Sequence, residues 1–424
     1  MRASSVTSLP DSSTADFRSA RANWAAISMA GGWVWQAKGA HMDQREAQPV
    51  AAAEAETAAD PRDVVIFSQR DRLHFIWHTA WFEFEDVVAE VEDAQILSTT
   101  AAEPYGFWYR ARRRVGRDSA LFRHVPSGHE RRPIGRDVDL FACFVQHPDE
   151  LVVLDAIPDW RERAKLKVCL IEEIWLTTLP ILGRLYDVLS DFDVVAVSFP
   201  NTVGPLSERI GKPVIHIPCA VDMERFGSLR PAAERVIDLY YMGRRRPELH
   251  ELLVDRFEAE RLFYLYTAFA MPMKVSDHRE HRRQLASMIT RSKLFFVDYA
   301  KFNKQDETEG QMVWGPRYFE GMCGGAVAIG ARPRSPDFEE YLGWPESVVA
   351  LEDDPKAAVD QMVALIADPD VFEAMARVNV AQSLLRHDWA HRWAKLLAAV
   401  GLAPTGRMTE RLASMQARST AILP

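Results

Sequence analysis

Short apolar runs alternate with longer segments of helical period over most of the chain. In the first half the apolar runs have the length of strands and little polar alternation, as in LKVCLI at 166–171 and DVVAV at 193–197. Such strands are buried on both faces, so they predict a parallel sheet covered by helices on each side. The predicted strands are 63–68, 94–97, 139–145, 166–171, 193–197 and 213–217, and the predicted helices are 71–91, 148–157, 179–189 and 203–210.

A second series of the same kind follows the segment IPCAVDMERF at 217–226, which we interpret as a connection between two domains. We therefore expect an α/β protein with two parallel-sheet domains, whose ligand crevices lie beyond the carboxyl ends of the strands. The predicted strands of this series are 236–242, 261–266, 293–297 and 326–330, and its predicted helices are 248–260, 277–290, 355–367, 370–383 and 389–400.

The segment GPRYFEGMCGG at 315–325 predicts a short helix that leads directly into a buried strand. Pro316 suits the first turn of that helix and the glycine pair suits its end. Free N–H groups at a helix start, together with Arg317, suit phosphate oxygens. Glu320 lies one turn later on the same face, where a carboxylate can accept hydrogen bonds from ribose hydroxyls. The alternative is a surface ion pair between Arg317 and Glu320.

The alternation divides the chain into four parts. Residues 1–60 are rich in Ala, Ser, Asp and Glu without a sustained period, so we predict a disordered extension. The first series occupies a domain at 61–218 and the second a domain at 219–385. Residues 386–424 predict C-terminal helices, for which a return to the first domain is one open arrangement.

Composition and charge narrow the class of protein. Hydrophobic residues make up 48% and charged residues 26% of the chain, as in globular proteins. The net charge of −9 argues against a general nucleic-acid binder, so we expect no nucleic-acid partner. The four cysteines are far apart and give no metal signature. The chain shows neither a signal peptide nor an apolar stretch of transmembrane length, so we expect a cytoplasmic protein.

One segment departs from the acidic average. Residues 107–136 carry nine arginines against Asp118 and Glu130, with aromatic residues between them. This run suits an acidic acceptor or peripheral contact with an anionic membrane through 110–136. A solvated helix face is the alternative. The arginines are Arg110, Arg112, Arg113, Arg114, Arg117, Arg123, Arg131, Arg132 and Arg136.

Four motifs together resemble the GT-B glycosyltransferases of the group-1, family 4-like type, nearest the CgeB-like branch. They are IPCAVDMERF (217–226), LYYMGRR (239–245), SKLFFVDY (292–299) and RYFEGMCGGAVAIG (317–330). The resemblance implies two Rossmann-like domains facing a central cleft, with an acceptor domain at 61–218 and a donor-nucleotide domain at 219–385. It implies donor-nucleotide contacts from Gly243, Arg244, Gly315, Arg317, Tyr318 and Glu320.

The resemblance implies transfer of a hexose-like sugar from an NDP-sugar to an acceptor hydroxyl, with retention at the anomeric centre. The nucleotide sugar is then a co-substrate, and we expect no cofactor. We also expect no metal site, because side chains can stabilise the leaving diphosphate and the Asp353-Asp354 pair is better explained as a helix N-cap. The residues leave the acceptor open among a glycan, a lipid, a natural product and a protein.

The sequence departs from the family pattern around the sugar. Where members carry the first glutamate of a Glu-x7-Glu pair, this chain has Met312, and Glu309 or Glu307 in the same loop is the candidate replacement. The lysine expected after the Gly-Arg motif is absent, which leaves Arg244, Arg245 and Arg246 as candidate phosphate partners.

Two further candidates follow strands of the first domain. His147 ends a strand where retaining members carry a histidine that faces the sugar, and it could assist proton movement or be a surface residue. Glu172 and Glu173 are candidates for the acceptor's general base. Adjacent strand residues face opposite ways, so one of them at most points into the cleft. We take Glu173, together with His147 and Glu309, as the catalytic set.

Two other functions are compatible with these motifs. A catalytically silent protein that binds a sugar nucleotide or a glycan would explain Met312. An epimerase or a phosphorylase-like protein would share the fold, although no lysine has a convincing context for pyridoxal phosphate.

Overall fold

The computed structural model describes residues 61–100, 103, 105–119, 124–268 and 273–423. The disorder predicted for residues 1–60 therefore lies outside the described residues, as does Arg123. No helix in the described part is both long enough and apolar enough to cross a membrane.

The first domain is built on a six-stranded parallel sheet with strand order β2-β1-β3-β4-β5-β6. Strand β1 is buried at every position, and Cys143 of β3 lies opposite Cys169 of β4 in the sheet centre. Continuous apolar runs gave the correct strands here because both faces of this sheet are covered. The strands are β1 (Val64–Ser68), β2 (Gln95–Ser98), β3 (Val138–Val145), β4 (Ala164–Ile171), β5 (Val194–Val197) and β6 (Val214–His216).

The helices of this domain differ from the prediction at three places. The helix predicted at 71–91 begins only at Thr79, after a 3-10 turn at Ile76–His78. The helix predicted at 148–157 is a 3-10 helix, Pro148–Ala156. The helix predicted at 179–189 is a 3-10 helix, Leu176–Ile181, followed by a short α-helix, and Gly183 between them has a left-handed φ of 53° that interrupts a continuous helix. The α-helices are α1 (Thr79–Glu92), α2 (Phe107–Asp118), α3 (Trp160–Arg163), α4 (Leu185–Leu189) and α5 (Val203–Ile210).

The second domain has a five-stranded parallel sheet with strand order β11-β10-β9-β7-β8. The strand predicted at 261–266 begins only at Tyr264, since Arg261 takes a left-handed conformation that ends the preceding helix. The strands are β7 (Ile237–Tyr241), β8 (Tyr264–Tyr266), β9 (Ser292–Val297), β10 (Val327–Gly330) and β11 (Val349–Ala350). The predicted pair of parallel-sheet domains is confirmed.

Helices cover this second sheet and extend beyond it. The segment predicted as a plain connection contains one turn of helix, Met223–Phe226. The helices are α6 (Met223–Phe226), α7 (Pro247–Glu260), α8 (His278–Ile289), α9 (Gln305–Thr308), α10 (Pro316–Cys323), α11 (Pro336–Leu342), α12 (Pro355–Ile366), α13 (Pro369–Arg386), α14 (Trp389–Ala399) and α15 (Gly406–Ile422).

Helix α1 joins the two halves of the chain. Its Phe84 ring stacks on Trp389 of α14 with ring centroids 4.7 Å apart, and on Phe144 of β3 at 4.6 Å. Thr405, which caps α15, donates a hydrogen bond to Val91 O at 2.6 Å. One hydrophobic cluster therefore runs from the first sheet through α1 to the C-terminal helices. The exact domain boundaries stay a prediction.

Candidate active site

The carboxyl ends of the two sheets meet across a cleft. Glu173, which follows β4, forms an ion pair with Lys301, which follows β9, with N–O distance 2.8 Å. The backbone N–H of Leu176 donates to Gln311 Oε1 at 3.2 Å, again across the cleft. Because ligands of parallel sheets bind beyond the carboxyl ends of the strands, this cleft is the candidate active site.

Glu320 lies on α10 but is not a free carboxylate. Its side chain is buried and its two oxygens are held by Arg282 and by Arg317, the latter at 2.5 Å. Burial alone would raise the pKa of Glu320, but the two guanidinium groups outweigh it and lower the pKa to about 2. Glu320 is therefore a permanently charged group, and a ligand can reach it only if Arg317 moves.

Arg282 was missed by the sequence reasoning, although it is the centre of this network. It lies on α8 and is 1% exposed, and it also donates to Glu83 of α1 with Nη2–Oε2 distance 2.9 Å. The charges of Glu83 and Glu320 raise its pKa in spite of its burial. One signal was available: Arg282 falls on the buried stripe of α8 with Leu285, Ala286 and Ile289.

Glu83 brings further partners from outside its own domain to this network. Arg225 of α6 donates to its Oε1 at 3.0 Å, and Trp389 Nε1 donates to its Oε2 at 3.1 Å. The result is a continuous chain of charged groups from Arg225 through Glu83, Arg282 and Glu320 to Arg317. Its three central side chains are buried, and the arginines at its two ends are partly exposed.

The loop after β7 places the predicted phosphate partners at one edge of the cleft. Gly243 has a φ of 92°, which favours glycine, and starts this turn. Arg245 donates to Thr267 O, and Arg246 forms a two-point ion pair with Asp298 at 2.7 and 3.0 Å. Arg244 is exposed and has no hydrogen bond or ion pair to a described residue. Of the three, Arg244 is the one available to an anion.

The start of α10 shows two different environments. Gly315 precedes the helix, and a Cβ atom at this position would meet nothing within 4 Å, so the space in front of the helix is open. Tyr318 is fully buried and its hydroxyl donates to Ala331 O at 2.7 Å. Its position favours a packing role over contact with the nucleotide.

His147 and Glu173 lie close together on the first-domain side of the cleft. His147 Nε2 is 4.0 Å from Glu173 Oε2, and the His147 side chain is 40% exposed. Trp175 Nε1 donates to Glu173 Oε1 at 2.7 Å. Burial works against ionisation of Glu173, but the charges of His147 and Lys301 and the Trp175 hydrogen bond hold the pKa of this carboxyl below its ordinary value. Glu173 is therefore ionised at neutral pH.

Glu172 is turned into the protein core, and its pKa shifts in the opposite direction to that of Glu173. It is buried, accepts a hydrogen bond from Trp81 Nε1, and has the Cys219 thiol 3.7 Å away. Burial raises the pKa of Glu172 to about 8. A carboxyl that is protonated at neutral pH cannot serve as a general base, so Glu173 is the better candidate of the pair.

The loop after β9 carries the remaining candidates and an open groove of about 500 Å³. Glu309 is exposed and, among the described contacts, is not brought to His147 or Glu173, whereas Glu307 shares Lys301 with Glu173 at 3.4 Å. Met312 lines the groove with 70% of its surface exposed. Gln311 also lines it, and its buried Nε2 has no described partner, which leaves a donor for a ligand.

No group of three or more His, Cys, Asp or Glu side chains in the described part of the chain is arranged to hold a metal ion. Asp354 accepts a hydrogen bond from Ala357 N at 2.8 Å and caps α12, as predicted. Metal independence itself stays a prediction.

The comparison with protein families gives the decisive observation. Residues 244–398 match the model of a family described as glycosyl transferase-like. This part of the chain is therefore similar to glycosyl transferase-like domains. The match begins at Arg244 and includes α10 with Glu320. Together with the two facing parallel sheets it identifies the fold as GT-B, while the CgeB-like branch stays a prediction. No curated protein matches the chain.

Solved structures with a similar chain path include three of interest. An alpha-glucosyltransferase in complex with UDP and a 13-mer DNA has a TM-score of 0.48 and 9% identity, covering 80% of this chain and 100% of that one. A mutant of S. aureus TarM in complex with fondaparinux, alpha-GlcNAc-glycerol and UDP has a TM-score of 0.39 and 12% identity, covering 62% and 55%. The N-terminal domain of Candida albicans trehalose-6-phosphate phosphatase has a TM-score of 0.43 and 8% identity, covering 81% and 97%.

The expectation that nucleic acid is excluded as a partner is wrong. The alpha-glucosyltransferase structures hold DNA together with UDP or UDP-glucose. The exclusion rested on the net charge of −9, which is an average over the whole chain and does not describe any one surface.

We predict that Arg282→Ala destabilises the protein by about 3–5 kcal/mol, because it leaves two buried carboxylates without their shared cation. Urea unfolding measures this change. Arg279→Ala is the matched control: Arg279 lies one turn earlier on α8, is 54% exposed and pairs with Asp86. Because Arg279 is exposed and the largely buried Asp86 keeps Arg70 and His278 as partners, this change should cost only about 0–1 kcal/mol. Equal losses in the two variants would contradict the account.

We predict that Glu172→Gln flattens the fall of stability between about pH 5 and pH 8. The folded-state pKa of about 8 lies above that of an unfolded glutamate, so the folded state binds the extra proton. The wild type therefore loses stability as pH rises through this window, by up to about 1.4 kcal/mol per pH unit. The amide mimics the protonated acid and does not titrate. Parallel urea curves at every pH would show that Glu172 is ionised in the folded protein.

Proposed function

We propose that this protein transfers a hexose-like sugar from an NDP-sugar to an acceptor hydroxyl. The observation that carries the proposal is the family match at 244–398, which covers Arg244 and α10 on the side of the cleft opposite His147 and Glu173. We also propose a cytoplasmic location, which the four buried free cysteines suit.

The leaving diphosphate is stabilised by cations and by the start of α10. Arg244 is exposed and Arg317 is partly exposed, and the space in front of Gly315 is open. Fixed positive charge and free backbone N–H groups stabilise the charge that develops on a leaving phosphate without a metal ion. When Arg317 turns from Glu320 to the diphosphate, the Glu320 carboxylate becomes available to the ribose hydroxyls, while Arg282 keeps it ionised and in place.

The sugar and the acceptor occupy the other side of the cleft. Gln311 offers its unpartnered amide N–H to the sugar, and Glu309 lies on the same loop as the further candidate contact. The ionised Glu173 accepts the proton of the acceptor hydroxyl, and His147, 4.0 Å away, holds or relays it. Retention at the anomeric centre is part of the proposal and rests on the family resemblance alone.

A catalytically silent binding protein is the second candidate function. Met312 favours it, because an exposed methionine stands in the groove where the resemblance places a sugar-contacting glutamate. Such a protein would bind the nucleotide sugar and release no free nucleotide.

We predict that one nucleoside diphosphate among UDP, GDP, ADP, CDP and dTDP raises the midpoint of thermal unfolding of the wild type. At 100 times its dissociation constant a ligand stabilises the fold by ~2.7 kcal/mol. The shift should fall strongly in Arg244→Ala and in Arg317→Ala. Arg256→Ala, which removes a partly exposed arginine on the outer helix α7, is the control and should keep the shift. If no nucleotide shifts any of the four proteins, the donor site is wrongly placed.

We predict that Glu173→Gln lowers kcat for nucleotide release from the matching NDP-sugar by about 10²- to 10⁴-fold, the usual contribution of a general base. The KM for the donor should change little, since Glu173 lies on the acceptor side. Glu172→Gln is the matched control and should retain kcat at neutral pH, because Glu172 is already protonated there. Full activity in Glu173→Gln would remove Glu173 from the mechanism. No nucleotide release by the wild type would favour the binding protein.

A further inference from the structure

The start of helix α2 carries an unusual cluster of exposed aromatic side chains. Among the described residues ten large apolar or aromatic side chains are exposed, and three of them are Tyr105, Phe107 and Trp108. Phe107 is 67% exposed and Trp108 is 53% exposed, and their rings meet edge to face with centroids 5.3 Å apart. A cluster of rings that is not buried in the protein offers faces on which other flat rings can stack.

Arginines on the same helix border these rings. Arg110 and Arg114 are exposed and have no ion pair with a carboxylate in the described part of the chain. They are four residues apart, so they lie on one face of the helix about 6 Å apart along its axis. Arg113 is also exposed but pairs with Asp149 at 2.9 Å. The local surface is therefore cationic, although the whole protein is acidic.

The arginine-rich run does not form one continuous basic surface, which corrects the simplest interpretation of 110–136. Arg112 is buried and donates to Val152 O at 2.7 Å. Arg132 pairs with Glu130, and Arg136 pairs with Asp63. The exposed arginines of this run without a described ion pair are Arg110 and Arg114 on α2, next to the exposed rings, and Arg131 in the following loop.

Contacts with the body of the protein fix the position of the aromatic cluster. Arg72 lies between the rings of Tyr105 and Tyr109, with its guanidinium carbon 4.9 Å from each ring centroid. Trp108 packs against Gly128, where a Cβ atom would lie 3.1 Å from the Trp108 Cβ. The exposed rings therefore belong to a packed structure, and little ordering is needed when a ligand stacks on them.

This surface lies beside the acceptor side of the cleft. Helix α2 packs on the 3-10 helix Pro148–Ala156, which starts directly after His147. The ion pair between Arg113 and Asp149 ties the two together. A polymer bound along α2 would thus pass close to His147.

We propose that the α2 surface, formed by Phe107, Trp108, Arg110 and Arg114, binds single-stranded nucleic acid. Bases stack on exposed aromatic rings and phosphates pair with arginines, and this combination is sequence-tolerant. A membrane fits less well, because the apolar face of α2 is turned into the protein, with Tyr109 buried and Val115 partly buried against it. The proposal does not rest on the proposed glycosyl transfer.

The test is fluorescence anisotropy with a labelled oligo-dT and a labelled mixed-sequence RNA of the same length, titrated with the full chain at several salt concentrations. We expect binding that weakens with salt. The double variant Arg110→Ala/Arg114→Ala should weaken binding and reduce the slope of log K against log salt by about 1.4, for two phosphate contacts at about 0.7 each. Trp108→Ala should weaken binding by about 10-fold or more through lost stacking.

Arg256→Ala/Arg291→Ala is the matched control, since it removes the same charge from the second domain. Equal losses in this control would show that only net charge matters and would overturn the proposal. It would also be overturned if neither oligonucleotide bound, or if phosphatidylserine vesicles or heparin bound to the α2 surface more tightly than the oligonucleotides. Phe107→Ala is a second stacking variant at the most exposed ring. Nucleotide-dependent thermal shifts in all variants report the donor site separately.

Discussion

The buried guanidinium group of Arg282 links the two halves of this protein through ion pairs to each of them. Arg282 on α8 contacts Glu83 of the first domain and Glu320 of the second, and all three side chains are almost completely buried. Charges at such depth are stable only when they are paired and hydrogen-bonded, so none of the three can be changed or moved alone. The position of α1, the position of α10 and the angle between the domains therefore depend on one another.

This constraint reaches the candidate donor site. Glu320 is held at its inner side by Arg282 and at its outer side by Arg317, which is partly exposed and lies at the start of α10. A nucleotide that draws Arg317 away changes the electrostatic balance of a network that ends on the first domain. Under the proposed function, these contiguous ion pairs would couple donor binding to the domain arrangement.

The first domain meets the same cleft with a pair of carboxyls whose environments differ. Glu173 faces Lys301 and is ionised, whereas Glu172 faces Trp81 and Cys219 and is protonated. Adjacent residues at a strand end thus serve two purposes, one as a charged group in the cleft and one as a neutral hydrogen-bonding group in the core.

The sequence predicted the strands well because continuous apolar runs are unambiguous when both faces of a sheet are covered. It also placed the short helix of GPRYFEGMCGG and its Arg317–Glu320 pair. It could not find Glu83, which is 199 residues from Arg282, since ion pairs between distant segments leave no local pattern. Our exclusion of nucleic acid gave net charge too much weight, because a total of −9 over the whole chain does not reveal the cationic surface of α2.

The structure of the protein with its matching nucleoside diphosphate tests the central claim most directly. We predict the diphosphate at Arg244 and the start of α10, with the Arg317 guanidinium moved from Glu320 to the phosphates and Arg282 still bridging Glu83 and Glu320. A nucleotide bound elsewhere, or an Arg317–Glu320 pair that stays closed with the site occupied, would contradict the account.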